Sequence, residues 1–190
     1  MNELTGLFDA LYSRLLLRDF FGKVVPGTII ILSICAELFS PNDISKFIYN
    51  ASVFSALILT GFAWIVAFAL QAIGEKTHLI RYHTYNTDKA FYVRRHEFHV
   101  KTNNREHQQL ERLAVIKEAC GNGYLALGLS VVFLSVQELV SNGCQYVIYK
   151  FIHYWPVILF IAVLIAFLAV MHFIHVRRHD RYMNALLEAS

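Results

Sequence analysis

Apolar and polar residues fall in long blocks along this chain rather than in fine alternation. Ala51–Ile73 runs for twenty-three residues without a charge, and Tyr154–Val176 is interrupted by only two histidines, His172 and His175. A helix rising about 1.5 Å per residue needs about 20 such residues to cross a hydrocarbon core of ~30 Å. Pro26–Phe39 and Gly123–Val140 supply two shorter stretches, so four spans are expected. Ser40-Pro41-Asn42-Asp43 reads as a turn, with Asp43 placed to cap the helix that enters the membrane near Ala51. Ser55, Thr60 and Gly61 are small enough to let a neighbouring helix approach the second span. Ser141-Asn142-Gly143 is the turn after the third span. Tyr146, Tyr149, Tyr154 and Trp155 then form an aromatic belt at a membrane interface.

The polar blocks carry patterns of their own. In residues 1–21, Leu4, Leu7, Phe8, Leu11, Leu15 and Phe20 keep helical spacing while Glu3, Asp9, Arg14 and Arg18 are interspersed. This predicts an amphipathic helix in the headgroup plane, ended by Gly22, and not a secretory signal. The long hydrophilic passage is 74–122. Within it, Asn103 and Glu106 have the spacing of a capping pair, and helical character then continues to Val140. That length is about 55 Å, so ~25 Å would project beyond the hydrocarbon. Leu113, Ile116, Cys120, Tyr124 and Leu127 share one face, through which copies would pack into a neck. Gly121 and Gly123 are candidate hinge residues at the membrane surface, with simple close packing as the alternative. The expected fold is an all-α, four-transmembrane-helix bundle with an N-terminal amphipathic helix and a cytoplasmic extension between spans 2 and 3. Its parts are 1–21 (interfacial helix), 22–73 (spans 1 and 2), 74–122 (cytoplasmic region), 123–176 (spans 3 and 4) and 177–190 (cytoplasmic tail).

Composition agrees: 56% hydrophobic and 16% charged residues, against about 45–50% and about 25% in soluble domains. Charge adds orientation. Fifteen of the seventeen Lys and Arg residues lie in the N-terminal segment, the middle passage and the tail, and only Lys46 and Lys150 lie in the other two connections. Positively charged loops stay inside, so both termini and the middle passage are expected in the cytoplasm. Cys35, Cys120 and Cys144 read as small apolar fillers.

Chemistry is sparse. His78, His83, His96 and His99 match no metal-binding spacing, and no metal or cofactor is expected. Arg94 and His99 have the R-x4-H spacing of some HEPN-type ribonucleases, but a single pair without its helical frame does not support catalysis. Arg81, Tyr85, Lys89, Arg94, Arg95, His96 and His99 make a basic, aromatic surface suited to docking a cytoplasmic protein or contacting lipid. A nucleotide ligand is the alternative there, and direct nucleic-acid binding is not favoured. Glu138, an acid inside a span, and His172 and His175, on one face of the fourth span, are candidate pore or gate residues.

At RLLLRDFFGKVVPGTIIIL (Arg14–Leu32) and ERLAVIKEACGNGYLAL (Glu111–Leu127) the chain resembles small four-span proteins encoded in bacterial anti-phage defence loci, most of all the membrane subunit of the Kiwa system. The resemblance implies a homo-oligomer, expected to be a tetramer, in the inner membrane with a soluble cytoplasmic partner. That partner, not this chain, would act on phage DNA. The expected function is a non-enzymatic sensor of membrane perturbation and scaffold. The alternative is an effector ion channel that depolarises the membrane, gated in one version by a nucleotide second messenger.

Overall fold

The computed structural model describes residues 19–85 and 87–189, all helix and connection with no strand among them. The interfacial helix expected over 1–21 lies almost wholly outside the described residues. Six helices follow in order: α1 (Phe20–Leu38), α2 (Pro41–Asn50), α3 (Val53–Lys76), α4 (Asp88–Lys101), α5 (Asn104–His153) and α6 (Trp155–Ala189). Four of them, α1, α3, α5 and α6, are long and apolar enough to cross a membrane. Their large outward side chains, such as Phe54, Val53 and Phe160, are two-thirds exposed or more within the chain, as lipid-facing residues would be.

Gly22 does not break the chain. Helix α1 opens with a π turn, Phe20–Val24, that runs straight into Val25–Leu38. The cause is Pro26, which has no N–H to offer the Gly22 carbonyl four residues back and whose ring crowds it. The turn widens, and Asn122 Nδ2 on α5 donates to that carbonyl at 2.6 Å. One turn on, Gly27 meets the backbone of Ala63 so closely that a Cβ there would sit 1.8 Å from the Ala63 carbonyl oxygen. Gly61, expected to allow close approach, instead faces open space; the α1–α3 crossing uses Gly27 and Ala63.

The turn at Ser40–Asp43 is a helix start. Ser40 caps α2 by accepting the Asp43 N–H, and the Ser40 hydroxyl donates to the Asp43 carboxylate. Ser52 caps α3 in turn. Asn103 accepts the N–H groups of Arg105 and Glu106 while the Glu106 carboxylate accepts from Asn103 N, a complete capping box. From there α5 runs through Gly121 and Gly123 without leaving helical dihedrals. Its break comes at Gly143, at φ 79°, a region open to glycine alone. Glu138 and Lys150 form an ion pair across that break, and Asn142 also donates to Glu138.

The tail expected from residue 177 onward is the continuation of α6 to Ala189. Val176, Met183 and Leu187 continue one helix face and are buried. Phe91 and Phe98, seven residues apart on α4, close over them together with Leu110 of α5. The polar ends of α5 and α6 thus join α4 in a three-helix unit with its own core. A second cluster, Leu70, Ile80, Leu125 and Ala126, lies where this unit meets the spans.

Candidate functional site

Residues 77–85 follow α3 and act as a strap laid across α5 and α6. Thr77 turns the end of α3 by donating its hydroxyl to the Ile73 carbonyl, and His78 takes a left-handed conformation, φ 58°. The chain then folds back so that Ile80 N–H reaches the Gly74 carbonyl at 2.9 Å. Ile80 lies over Gly74, where a Cβ would come within 2.6 Å of it.

From that point the strap is fastened residue by residue. The Leu79 carbonyl accepts from the Tyr124 hydroxyl. Arg81 N–H donates to His172 Nε2 at 3.1 Å, and the Tyr82 carbonyl accepts from Lys117 Nζ at 2.6 Å. Thr84 donates both its N–H and its hydroxyl to Asp180 Oδ2, the hydroxyl at 2.8 Å. The Tyr85 hydroxyl donates to Asn184 at 2.7 Å. Lys117, His172, His179 and Asp180 are all buried. These groups satisfy a loop backbone that would otherwise lie unpaired against helices, where each orphaned polar atom costs about 1–3 kcal/mol.

Two ionisable groups of the strap's seat lie beyond the fourth span. Burial pushes the His179 imidazole below its ordinary value, its bond to Asp180 works the other way, and the nearby Lys117 cation lowers it further. His179 is therefore neutral, with Nδ1–H donating to Asp180 Oδ1 at 3.0 Å. Burial alone would raise the Asp180 carboxyl, but the bonds from His179 and Thr84 outweigh it and hold it below the usual carboxylate range. Burial also raises the Tyr85 phenol, against the Asn184 bond.

Both α4 and α5 lean on α6, and between them opens a cleft of about 260 Å³. Arg95, His99, His107, Lys117 and His179 line it, with Glu75, Glu111 and Glu118 on the same walls. The rings of His99 and His107 meet edge-on at 4.8 Å, and His83 stacks on Phe91 at 4.6 Å. Gln71 Oε1, His83 Nδ1 and His107 Nε2 are buried on this wall without a hydrogen-bond partner among the described residues. A polar, partly open cleft of this size can hold water or a small polar ligand. Among the described residues, no three His, Cys, Asp or Glu side chains converge as a metal site.

The residues singled out from sequence therefore part company. Arg95 and His99 face the cleft. Lys89 and His96 are exposed on α4, and Arg94 is exposed with Glu97 beside it at 3.3 Å. Tyr85 and the Arg81 backbone belong to the strap. Arg94 and His99 do not face one another: Arg94 turns to Glu97 and His99 to His107. Gly121 and Gly123 are buried in the helix interior, and Gly121 makes room for His172, whose Nδ1 would lie 2.8 Å from a Cβ. His172 is wholly enclosed in one chain and His175 is buried beside it. Glu138 is committed to Lys150. Lys117, Asn122, Thr84, Asp180 and Asn184 were missed. The signal for Lys117 was its place among Leu110, Gly121 and Leu125 on α5, a face about a third of a turn from the one expected. There, Ile116 stays exposed. For Asp180 it was the helical spacing from Val176 to Met183.

No family model, no curated protein and no solved structure matches the chain. Its function is therefore argued from its own geometry.

Proposed function

We propose that the protein is a non-enzymatic, multi-pass component of the bacterial inner membrane, with N and C termini in the cytoplasm. In this reading it senses disturbance of the bilayer and docks a soluble cytoplasmic partner as a homo-oligomer, with four copies as the working number. The defence setting rests on the resemblance at Arg14–Leu32 and Glu111–Leu127 alone. One observation carries the mechanical part: α5 and α6 run continuously from the apolar bundle into the polar three-helix unit, and the strap ties the end of α3 to both. A tilt or shift of the spans then has no flexible joint at Gly121 or Gly123 in which to be lost. The exposed side of α4, with Lys89, Tyr92, Val93, Arg94 and His96, is the docking surface in this reading.

The channel reading has less support. A pore needs its polar side chains on a shared axis, whereas His172 and His175 are buried within one chain and Glu138 is paired with Lys150.

The test uses benzoylphenylalanine in place of Lys89 or His96 in cells of the source organism. Both positions should crosslink the same soluble protein, and Arg94→Glu should abolish the adduct. A reporter fused after Ser190 should be active in the cytoplasm. Ion flux through liposomes holding only this protein would overturn the scaffold reading in favour of the channel.

A further inference from the structure

We propose that His172 is a proton-sensitive latch that holds the strap closed only while its imidazole is neutral. The two ring nitrogens do opposite jobs. Nδ1 lies 2.7 Å from the Lys117 carbonyl, which can only accept, so Nδ1 carries the hydrogen. Nε2 lies 3.1 Å from the Arg81 backbone nitrogen, which can only donate, so Nε2 is the bare acceptor. The surroundings thus fix one neutral tautomer. An imidazolium has two donors and no acceptor, so a proton arriving at Nε2 meets the Arg81 N–H head-on, and that bond is lost.

The fold is shaped around this ring. Gly121 has no side chain where His172 lies, and His172 is completely buried. Tyr124 stands 5.9 Å from the ring and holds Leu79, two residues before Arg81 on the strap, through its hydroxyl. Among the described residues, the titratable or charged ones facing His172 are Lys117 and Tyr124 on α5 and Arg81, an exposed residue, on the strap; His175 lies one turn further along α6. No carboxylate in this set offers an alternative partner to a charged ring.

A proton can enter at Nε2 only when the Arg81 N–H bond is open, and an unperturbed imidazole takes one at about pH 6.5. Acid favours opening by mass action, up to about tenfold in the opening equilibrium per pH unit below that value. Opening at Arg81 loosens the strap between the end of α3 and the fastenings at Tyr82 and Thr84. Acidification on that side of the membrane would thereby uncouple α3 from the three-helix unit. The latch does not depend on which partner, if any, docks on α4.

Hydrogen exchange of the full chain in nanodiscs, from pH 8 to pH 5, tests this. After correction for the intrinsic exchange rate, protection of the Arg81 amide should fall up to tenfold per pH unit below about 6.5. In His172→Gln, whose amide can accept from Arg81 and donate to Lys117 without titrating, one proton's worth of that slope should vanish. His179→Gln, which leaves both His172 bonds in place, should retain the His172 contribution. A wild-type profile that is flat, or a His172→Gln profile with the wild-type slope, overturns the latch. Should His172→Gln fail to fold, imidazole nitrogen shifts of the wild-type chain decide. At pH 8, His172 must show a protonated Nδ1 and a bare Nε2, and the opposite tautomer overturns it.

Discussion

The tightest contact between two spans is also the simplest to perturb, and Gly27→Ala puts one methyl group into it. That methyl carbon would lie 1.8 Å from the Ala63 carbonyl oxygen, 2.5 Å from its carbonyl carbon and 2.9 Å from its Cα. All three are backbone atoms of α3, so no rotamer can clear them. Reaching the 3.0 Å below which real Cβ contacts essentially never fall requires α1 and α3 to part by about 1.2 Å. A gap of about 0.5–1 Å already forfeits a quarter to a half of each dispersion contact. Without a hydrophobic driving force between helices in lipid, such packing is much of what holds them together. Overpacking of this kind costs about 1–3 kcal/mol; the better helix propensity of alanine returns at most about 1 kcal/mol. Gly61→Ala is the control, since a methyl there meets nothing, and it should be neutral or slightly stabilising. Unfolding in bicelles by steric trapping, with both variants against the parent chain, measures the difference. Equal stabilities for Gly27→Ala and Gly61→Ala would refute the close crossing.

Asn122→Leu should destabilise the chain by about 1–3 kcal/mol, because the Gly22 carbonyl loses its donor in a buried site. Pro26→Ala restores a backbone N–H four residues on, so a double-mutant cycle should show a smaller loss in that background; strict additivity would count against the account of the π turn. Gly143→Ala meets no neighbour but must adopt φ 79°, which should lower stability by about 1–3 kcal/mol in the same unfolding assay. Asp180→Ala should cost about 1–3 kcal/mol by orphaning the Thr84 donors, visible as faster exchange of the Thr84 amide. Because the Asp180 carboxyl is held below its ordinary value, its contribution is complete above about pH 4 and lost only as pH falls through the folded value. The same sign holds for His179, a base whose folded value is lowered, but in a higher pH window. Its contribution is complete above about pH 6.5 and declines as pH falls, so His179→Gln should flatten thermal stability between pH 6.5 and 5.

The spans were legible because each is a block of side chains that no soluble surface could carry, and the start of α5 because Asn103 and Glu106 satisfy orphan N–H groups locally. What escaped was set by partners distant in sequence. Helix α4 has only Phe91 and Phe98 to bury, and that stripe has meaning only once Met183 and Leu187 of α6 are there to receive it. Arg177, Arg178 and Arg181 look like the charged close of the fourth span and conceal that α6 runs on to Ala189. Its apolar members, Val176, Met183 and Leu187, keep helical spacing, and that was readable. Gly22 and Pro26 looked like a break followed by a start, yet a side chain ninety-six residues beyond Pro26, Asn122, supplies the bond that makes one continuous helix.

The histidines show why residue type alone misleads in such a chain. His172 and His175 resembled a pore lining because they share a face at the end of an otherwise apolar span, where copies in an oligomer could set them around an axis. In the fold that face is turned inward, and the polarity of His172 is used to satisfy backbone on the strap and on α5. Lys117 does the same for Tyr82, and Asp180 for Thr84. Three side chains of different charge thus perform one task, seating a loop against helices where water is excluded. They differ in when they fail. An aspartate held below its ordinary value fails only in strong acid. A neutral imidazole with an acceptor role loses its bond within the range a cell can reach, so under the proposed latch release of the strap begins at Arg81.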